Sequence, residues 1–286
     1  MPDSIVVRAP ATSANMGSGF DCLGLALDLW TEIEAVVGGS CDSANLIVRS
    51  AHAVFVETAT ACPGFELRST NAIPLGRGLG SSAAAIMCGV LLANHCLGTV
   101  LGERDILDIA SRLEGHPDNV APCLLGGVQV ATIDDAGHVV HARVPLGLPL
   151  QVVVFVPEQP LLTIAARQVL PTAIPLADAM FNVARSSLLV AALATGAGEL
   201  IAEATRDRLH QPYRLPLFPP GSTLLEAAMN AGALGAYTSG AGPSVLALVA
   251  DDARAQAVAD AFDALAVPGA ALRLRLSERG AHVVGA

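Results

Sequence analysis

Residues Pro74 to Ala85 read PLGRGLGSSAAA, with glycines at 76, 78 and 80 followed by two serines and an alanine run. Glycine lets backbone N–H groups converge on an anion, and a helix starting straight after such a turn adds the positive end of its dipole. That combination holds phosphate. Ser81 and Ser82 offer hydroxyls to a phosphate oxygen or to Mg2+, a hard ion that keeps few protein ligands, and their plainer role is helix capping. Arg77 either adds charge or points to solvent. Every one of the 16 lysine-or-arginine positions in the chain is arginine, so neither a Walker loop nor the strand lysine of a protein kinase is available. A dinucleotide fingerprint is a weak match, because the early strand-loop-helix position is lacking and the acids that follow, Glu103 and Asp105, open a helix instead of ending a second strand.

Three further places carry chemistry. In EGHPDNVAP, Glu114, His116, Asp118 and Asn119 fall between a helix end and an apolar segment. Singly they read as a solvated acid, a loop histidine and helix caps; together they suggest a site. In APATSANMGSGFDCLG, Ala9 to Gly24, a sixteen-residue loop between strands presents Thr12, Ser13, Asn15 and Asp21, too long for a simple turn, with Asp21 suited to a cation or an ammonium. Arg167 and Arg214 are candidate carboxylate clamps, against the alternative of solvated surface arginines.

Hydrophobic pattern and turn residues place the strands and helices around these groups. Strands are expected at Ile5 to Ala9, Leu25 to Val37, Leu46 to Arg49, Ala53 to Glu57 and Phe65 to Ser69. Helices follow at Ser82 to Leu97 and Glu103 to Glu114, the second stopped by Gly115 and Pro117. Gln129 to Ile133 and His138 to Val144 flank DDAG as a hairpin. PLGLP, Pro145 to Pro149, marks the division between units of residues 1–147 and 148–286. LQVVVFVP begins the second as a strand buried on both faces. Helices are expected at Thr163 to Leu170, Leu176 to Thr195, Glu199 to Arg208, Ser222 to Ala231 and Ala253 to Leu265. Gly240 to Pro243 forms a second glycine-rich loop, followed by the strand SVLALVA, and Leu272 to Leu276 is the last strand. Without regular β-α-β alternation the class is α+β.

Composition narrows the function. Hydrophobic residues make up 52% of the 286 and charged residues 15%, which describes a folded chain. A net charge of −10 without any basic run argues against nucleic acid. The six cysteines, at 22, 41, 62, 88, 96 and 123, show no metal-ligand spacing and read as small buried hydrophobes in a reduced cytoplasm. Gly78 to Gly102 is uncharged and long enough to span a bilayer, but Ser81, Ser82, Asn94 and His95 interrupt it, so a buried helix is expected and no membrane. The N-terminus has an acid at Asp3 and no basic region typical of export.

Pro74 to Ala84 resembles the signature loop of the GHMP kinases. VRAPATSANMGSGFDCLGLAL, STNAIPLGRGLGSSAAA, EGHPDNVAPCLLGG and SGAGPSVLAL, in that order from Val7 to Leu248, resemble the homoserine kinase branch of that superfamily. The resemblance implies transfer of phosphate from ATP, with Mg2+, to the side-chain hydroxyl of L-homoserine in threonine biosynthesis. It implies an N-terminal domain like domain 2 of ribosomal protein S5, a ferredoxin-like C-terminal domain, ATP between them, and a cytoplasmic homodimer. Carried over by motif, Pro74, Leu75, Gly76, Arg77, Gly78, Leu79, Gly80, Ser81, Ser82, Ala83 and Ala84 wrap the triphosphate. Ser82 and Glu114 hold Mg2+. Asn15, Asp21 and His116 line the homoserine pocket, and Arg167 and Arg214 hold its carboxylate.

Asn119 matches a position where related mevalonate kinases carry an aspartate base; asparagine cannot abstract a proton, so catalysis is expected to rest on alignment and charge stabilisation. The chain departs from the pattern at Ser18, where proline is usual, at Tyr237 to Ser239, and in the short link from Glu114 to His116. Two other readings stay open: a different small-molecule kinase of the superfamily, disfavoured by Asn119 and the arginine pair, and a non-catalytic nucleotide-binding regulator, disfavoured by the intact GLGSS, Glu114 and His116.

Overall fold

The computed structural model describes residues 4–39 and 44–285; Asp3 and Cys41 lie outside the described residues. The chain opens with β1 (Ile5–Ala14) antiparallel to β2 (Leu23–Val37). The expected strand end at Pro10 is not an end. Pro10 has no N–H for the ladder, and the register shifts between Pro10 and Ala11, after which pairing resumes with Ala11 opposite Leu27. Thr12 and Ser13 are therefore buried strand residues, and the loop is reduced to Asn15 through Cys22.

The segment read as two strands, Leu46 to Arg49 and Ala53 to Glu57, is one helix, α1 (Leu46–Glu57). Asn45 caps it, its Oδ1 accepting from the N–H groups of Ile47 and Val48 at 2.9 and 3.4 Å. Val48, Ala51, Val54 and Phe55 recur at helical spacing on the buried face. Its valines and isoleucine suggest strand, but burial of one helical face overrides propensity. α1 packs on α2 (Ser81–Cys96) so closely that a Cβ on Gly89 would stand 2.2 Å from the Ile47 carbonyl oxygen. Ten of the sixteen residues of α2 are buried, as expected of a core helix.

β3 (Phe65–Asn71) pairs with β2, and α3 (Glu103–Glu114), α4 (Pro117–Leu125) and the hairpin of β4 (Val128–Ile133) and β5 (Val139–Val144) complete the first half. The first sheet runs β10-β1-β2-β4-β5, its edge strand β10 (His282–Val283) returning from the far end of the chain. The second half holds β6 (Gln151–Pro157), α5 (Thr163–Gln168), α6 (Leu176–Thr195), α7 (Ile201–Ala204), α8 (Gln211–Arg214), α9 (Pro220–Asn230), β7 (Gly235–Thr238), β8 (Val245–Val249), α10 (Asp252–Asp263) and β9 (Gly269–Arg275). Its antiparallel sheet is ordered β7-β8-β6-β9. Alternate residues of β6 serve two cores: Val152 and Val154 join the main cluster, Val153 and Phe155 pack with Leu224, Val258 and Phe262.

The helix expected over Glu199 to Arg208 shrinks to a 3-10 turn at Gly198–Leu200 and the four residues of α7. The cause is Asp207, whose carboxylate accepts from the backbone N–H groups of Leu209, His210 and Gln211 and so starts a new turn, α8, in place of more helix. Among the thiols, Cys88 and Cys123 are fully buried, and burial pushes Cys88 up to about 12. Cys22, Cys62 and Cys96 are only half-buried, at positions where the chain nears the surface.

Candidate active site

The glycine loop is backbone architecture. Gly76, Gly78 and Gly80 have φ of +66°, +71° and +66°, the left-handed region that side chains avoid. Space forbids a Cβ as well: one on Gly78 would lie 2.1 Å from the Ser239 carbonyl oxygen, and one on Gly80 1.8 Å from Thr12 Oγ1. Gly80 is the N-cap of α2 and no side chain caps that end, so the capping role weighed for the serines is not the one they take. The first-turn N–H groups of a sixteen-residue helix thus face the loop. Arg77 neither points to solvent nor enters the cavity. Its guanidinium donates to the carbonyls of Leu75 (2.6 Å), Pro157 (3.3 Å) and Glu158, fastening the loop to the end of β6.

Beside the loop, Ser82 Oγ donates to Glu114 Oε1 at 2.6 Å. The short link from Glu114 to His116 does not keep Glu114 away. Gly115, at φ +94°, ends α3 in the left-handed conformation and Pro117 starts α4 at once, a tight corner that aims Glu114 at Ser82. Across the corner His116 Nδ1 hydrogen-bonds Asp118 Oδ1 at 2.5 Å, with Asp118 itself buried. Thr12 donates through Oγ1 to Asn119 Oδ1 at 2.7 Å. With its carbonyl oxygen engaged by a donor, Asn119 keeps its amide N–H groups for the cavity.

At the other end, Asp21 and Arg167 form a two-pronged ion pair, Nη1 to Oδ2 at 3.1 Å and Nη2 to Oδ1 at 2.9 Å. Asn15 Nδ2 donates to the Gly240 carbonyl at 2.7 Å and its Oδ1 accepts from the Asp21 N–H at 3.0 Å. This fixes a loop whose Asn15, Met16 and Asp21 all have positive φ. Arg214, buried, donates from Nε to the Ala166 carbonyl and from Nη1 to His210 Nδ1 and the Gly240 carbonyl, each at 3.2 Å.

One cavity joins these groups. Asn15, Asp21, Glu114, His116, Asn119, Arg167 and Arg214 line it together with Gly76, Gly78, Leu79, Gly80 and Ser81. Ser82 reaches it through Glu114, whereas Pro74, Leu75, Arg77, Ala83 and Ala84 are not on its wall. Burial lifts the Glu114 carboxyl above its ordinary value, with the Ser82 hydroxyl and His116 pulling the other way. For His116 burial opposes the charge, but the hydrogen bond and charge of Asp118, with Glu114 behind, leave the imidazole above its ordinary value. The Glu114 carboxyl and the Ser82 hydroxyl beside it are a pair of hard oxygen donors, which fits a Mg2+ ligand set.

Sequence reading missed two contributors. His210 lies four residues before Arg214, the one signal available. The wall formed by Thr163, Leu161 and Ala241 carries no distinctive residue types.

The family model "GHMP kinases N terminal domain" matches residues 45–127 and "GHMP kinases C terminal" matches 189–267. The homoserine kinase of Gloeobacter violaceus is 45% identical over 260 residues, 85% of this chain and 86% of that one. That of a Synechococcus strain is 43% identical over 272 residues, 90% and 89%. The crystal structure of homoserine kinase from Cytophaga hutchinsonii superposes with a TM-score of 0.88 at 32% identity, covering 99% of this chain and 98% of the other. A two-domain α+β fold, both family halves and these relatives agree: the chain belongs to the homoserine kinase family of the GHMP kinases.

Proposed function

We propose that the protein transfers the γ-phosphoryl group of ATP to the side-chain hydroxyl of L-homoserine, giving O-phospho-L-homoserine. The observation that carries this reading is the two-ended cavity. A glycine loop and the uncapped start of α2 stand at one end; an acid and two arginines, complementary to an ammonium and a carboxylate, stand at the other.

In this reading Pro74 to Ala84 wraps the triphosphate, most of it through backbone N–H groups, and Ser82 and Glu114 hold Mg2+. When bound, Mg2+ supplies charge neutralisation at the phosphate oxygens. Asp21 takes the ammonium of homoserine and Arg167 and Arg214 its carboxylate, with Asn15 and His116 completing the pocket. An amino acid exchanges ion pairs here, because its two charges replace each other's partners in the Asp21–Arg167 pair and leave nothing unpaired. Asp118 holds the His116 ring toward the acceptor. Thr12 turns the Asn119 amide so that N–H groups, not an acceptor oxygen, face the reacting oxygens. The hydroxyl oxygen then bonds to Pγ as the bridge to the β-phosphate breaks, ADP leaves, and the proton passes late to a γ-phosphoryl oxygen. The chain divides, in the same proposal, into an ATP-binding unit of residues 1–147 and a unit of 148–286 whose last strand returns to the first sheet. It works as a cytoplasmic homodimer without nucleic acid or membrane.

The test is an ADP-release assay over a panel of alcohols. L-Homoserine supports turnover; silence with it and activity on mevalonate or a sugar would overturn the assignment.

A further inference from the structure

His210 is completely buried, yet it is polar on both edges and each edge is used. Its Nε2 stands 2.7 Å from the Gly17 carbonyl oxygen and its Nδ1 3.2 Å from Arg214 Nη1. A guanidinium only donates, so Nδ1 must accept, and the single ring proton belongs on Nε2, where the Gly17 carbonyl receives it. The Nδ1 contact requires the neutral ring, because a protonated ring would set N–H against N–H there, and burial, which holds the imidazole below its ordinary value, favours that form. The ring is also held in plane. Phe20 stacks on it at 5.1 Å with 19° between planes, and the same Phe20 lies 5.1 Å from the Arg214 guanidinium carbon.

Arg214 divides its donors between the protein and the cavity. Of five N–H groups, one goes to Ala166, and two on Nη1 go to His210 and Gly240. The pair on Nη2 is what remains for the cavity that Arg214 lines. Resting on the homoserine reading above, we propose that His210 is a positioning residue: it fixes the Arg214 guanidinium so that Nη2 meets the substrate carboxylate, and ties that arginine to the loop carrying Asn15 and Asp21. Gly17 joins the two, at φ +77° and so tightly packed that a Cβ would stand 2.1 Å from the Thr205 carbonyl oxygen. Arginine and loop thus approach the acceptor as one rigid unit.

Two near-isosteric substitutions separate the contacts. His210→Gln keeps a donor where Nε2 was and loses the acceptor for Arg214; His210→Asn keeps an acceptor where Nδ1 was and loses the donor to Gly17. The expected result is a rise in KM for homoserine on the order of tenfold for His210→Gln, a smaller rise for His210→Asn, and an unchanged KM for ATP in both. In an Arg214→Ala background His210→Gln adds less than about twofold, because the bond it removes is already gone. Equal rises in both KM values, a larger rise for Asn than for Gln, or effects that multiply with Arg214→Ala would overturn the assignment. If His210→Gln does not fold, His210→Asn decides alone: a rise confined to the homoserine KM supports the assignment, and equal rises in both KM values overturn it. A wild-type enzyme that turns over no homoserine is a distinct result and refutes the function itself.

Discussion

At the phosphate end of the cavity Gly76, Gly78 and Gly80 turn the backbone inward and the one arginine present, Arg77, is spent on carbonyls. At the acceptor end Asp21 and Arg167 meet as side chains already paired with each other, and Arg214 is locked by His210, Ala166 and Gly240. In the proposed function one end recognises a polyanion by shape and by N–H dipoles, and the other a zwitterion by exchanging existing charge pairs. The difference explains how a lysine-free chain can handle ATP. It also separates the expected consequences of mutation: the phosphate end is vulnerable to any added atom, the acceptor end to any removed charge.

Where the two ends meet, Glu114 should give the largest effect. Glu114→Gln is expected to lower kcat by about 100- to 1000-fold, with the homoserine KM little changed; a change confined to the homoserine KM would move Glu114 to the acceptor end. Next is Gly80→Ala, which puts a methyl group on Thr12 Oγ1 at a left-handed φ. Misplacing the loop by such an overlap is expected to cost on the order of 100-fold in turnover, accompanied by a lower Tm, and normal ATP kinetics would show that the loop does not depend on its backbone shape. Arg167→Ala should raise the homoserine KM by about 10- to 100-fold with kcat near wild type, and Arg214→Ala should do the same; unchanged homoserine kinetics in both would remove them from the pocket.

The smallest effect concerns stability. Burial, outweighing the attraction of Asp207, holds His210 below its ordinary pKa, with Arg214 adding to that shift and Asp21 opposing it. The unfolded chain then binds the proton more readily than the folded one. Stability is present above the ordinary histidine range and is lost as pH falls through it toward the folded value. Thermal melts between neutral and acid pH should show that slope for the wild type and a flatter one for His210→Asn; equal slopes would mean that the ring titrates alike in both states.

The phosphate end was the more legible of the two in the sequence. GRGLGSS names a conformation directly, because alternating glycines at positive φ and a following helix are local properties. The corner at Glu114-Gly115-His116-Pro117 was visible as a helix stop for the same reason. What could not be read locally were the long-range partners: Thr12 on Asn119, separated by 107 positions, or Arg167 on Asp21, by 146. The misread elements have equally physical causes. Leu46 to Glu57 has strand-like residues on a helical burial period, Pro10 hides a bulge, and Asp207 takes the N–H groups that a longer helix would have used.

Exchange of charge pairs at the acceptor end can be tested most directly by comparing kcat/KM for L-homoserine with that for its two half-charged relatives, 4-hydroxybutanoate, which lacks the ammonium, and 3-aminopropan-1-ol, which lacks the carboxylate. ATP-dependent phosphorylation of L-homoserine, with both relatives reduced by at least about tenfold, is the predicted result. Equal turnover of either relative, or none of L-homoserine, would contradict it.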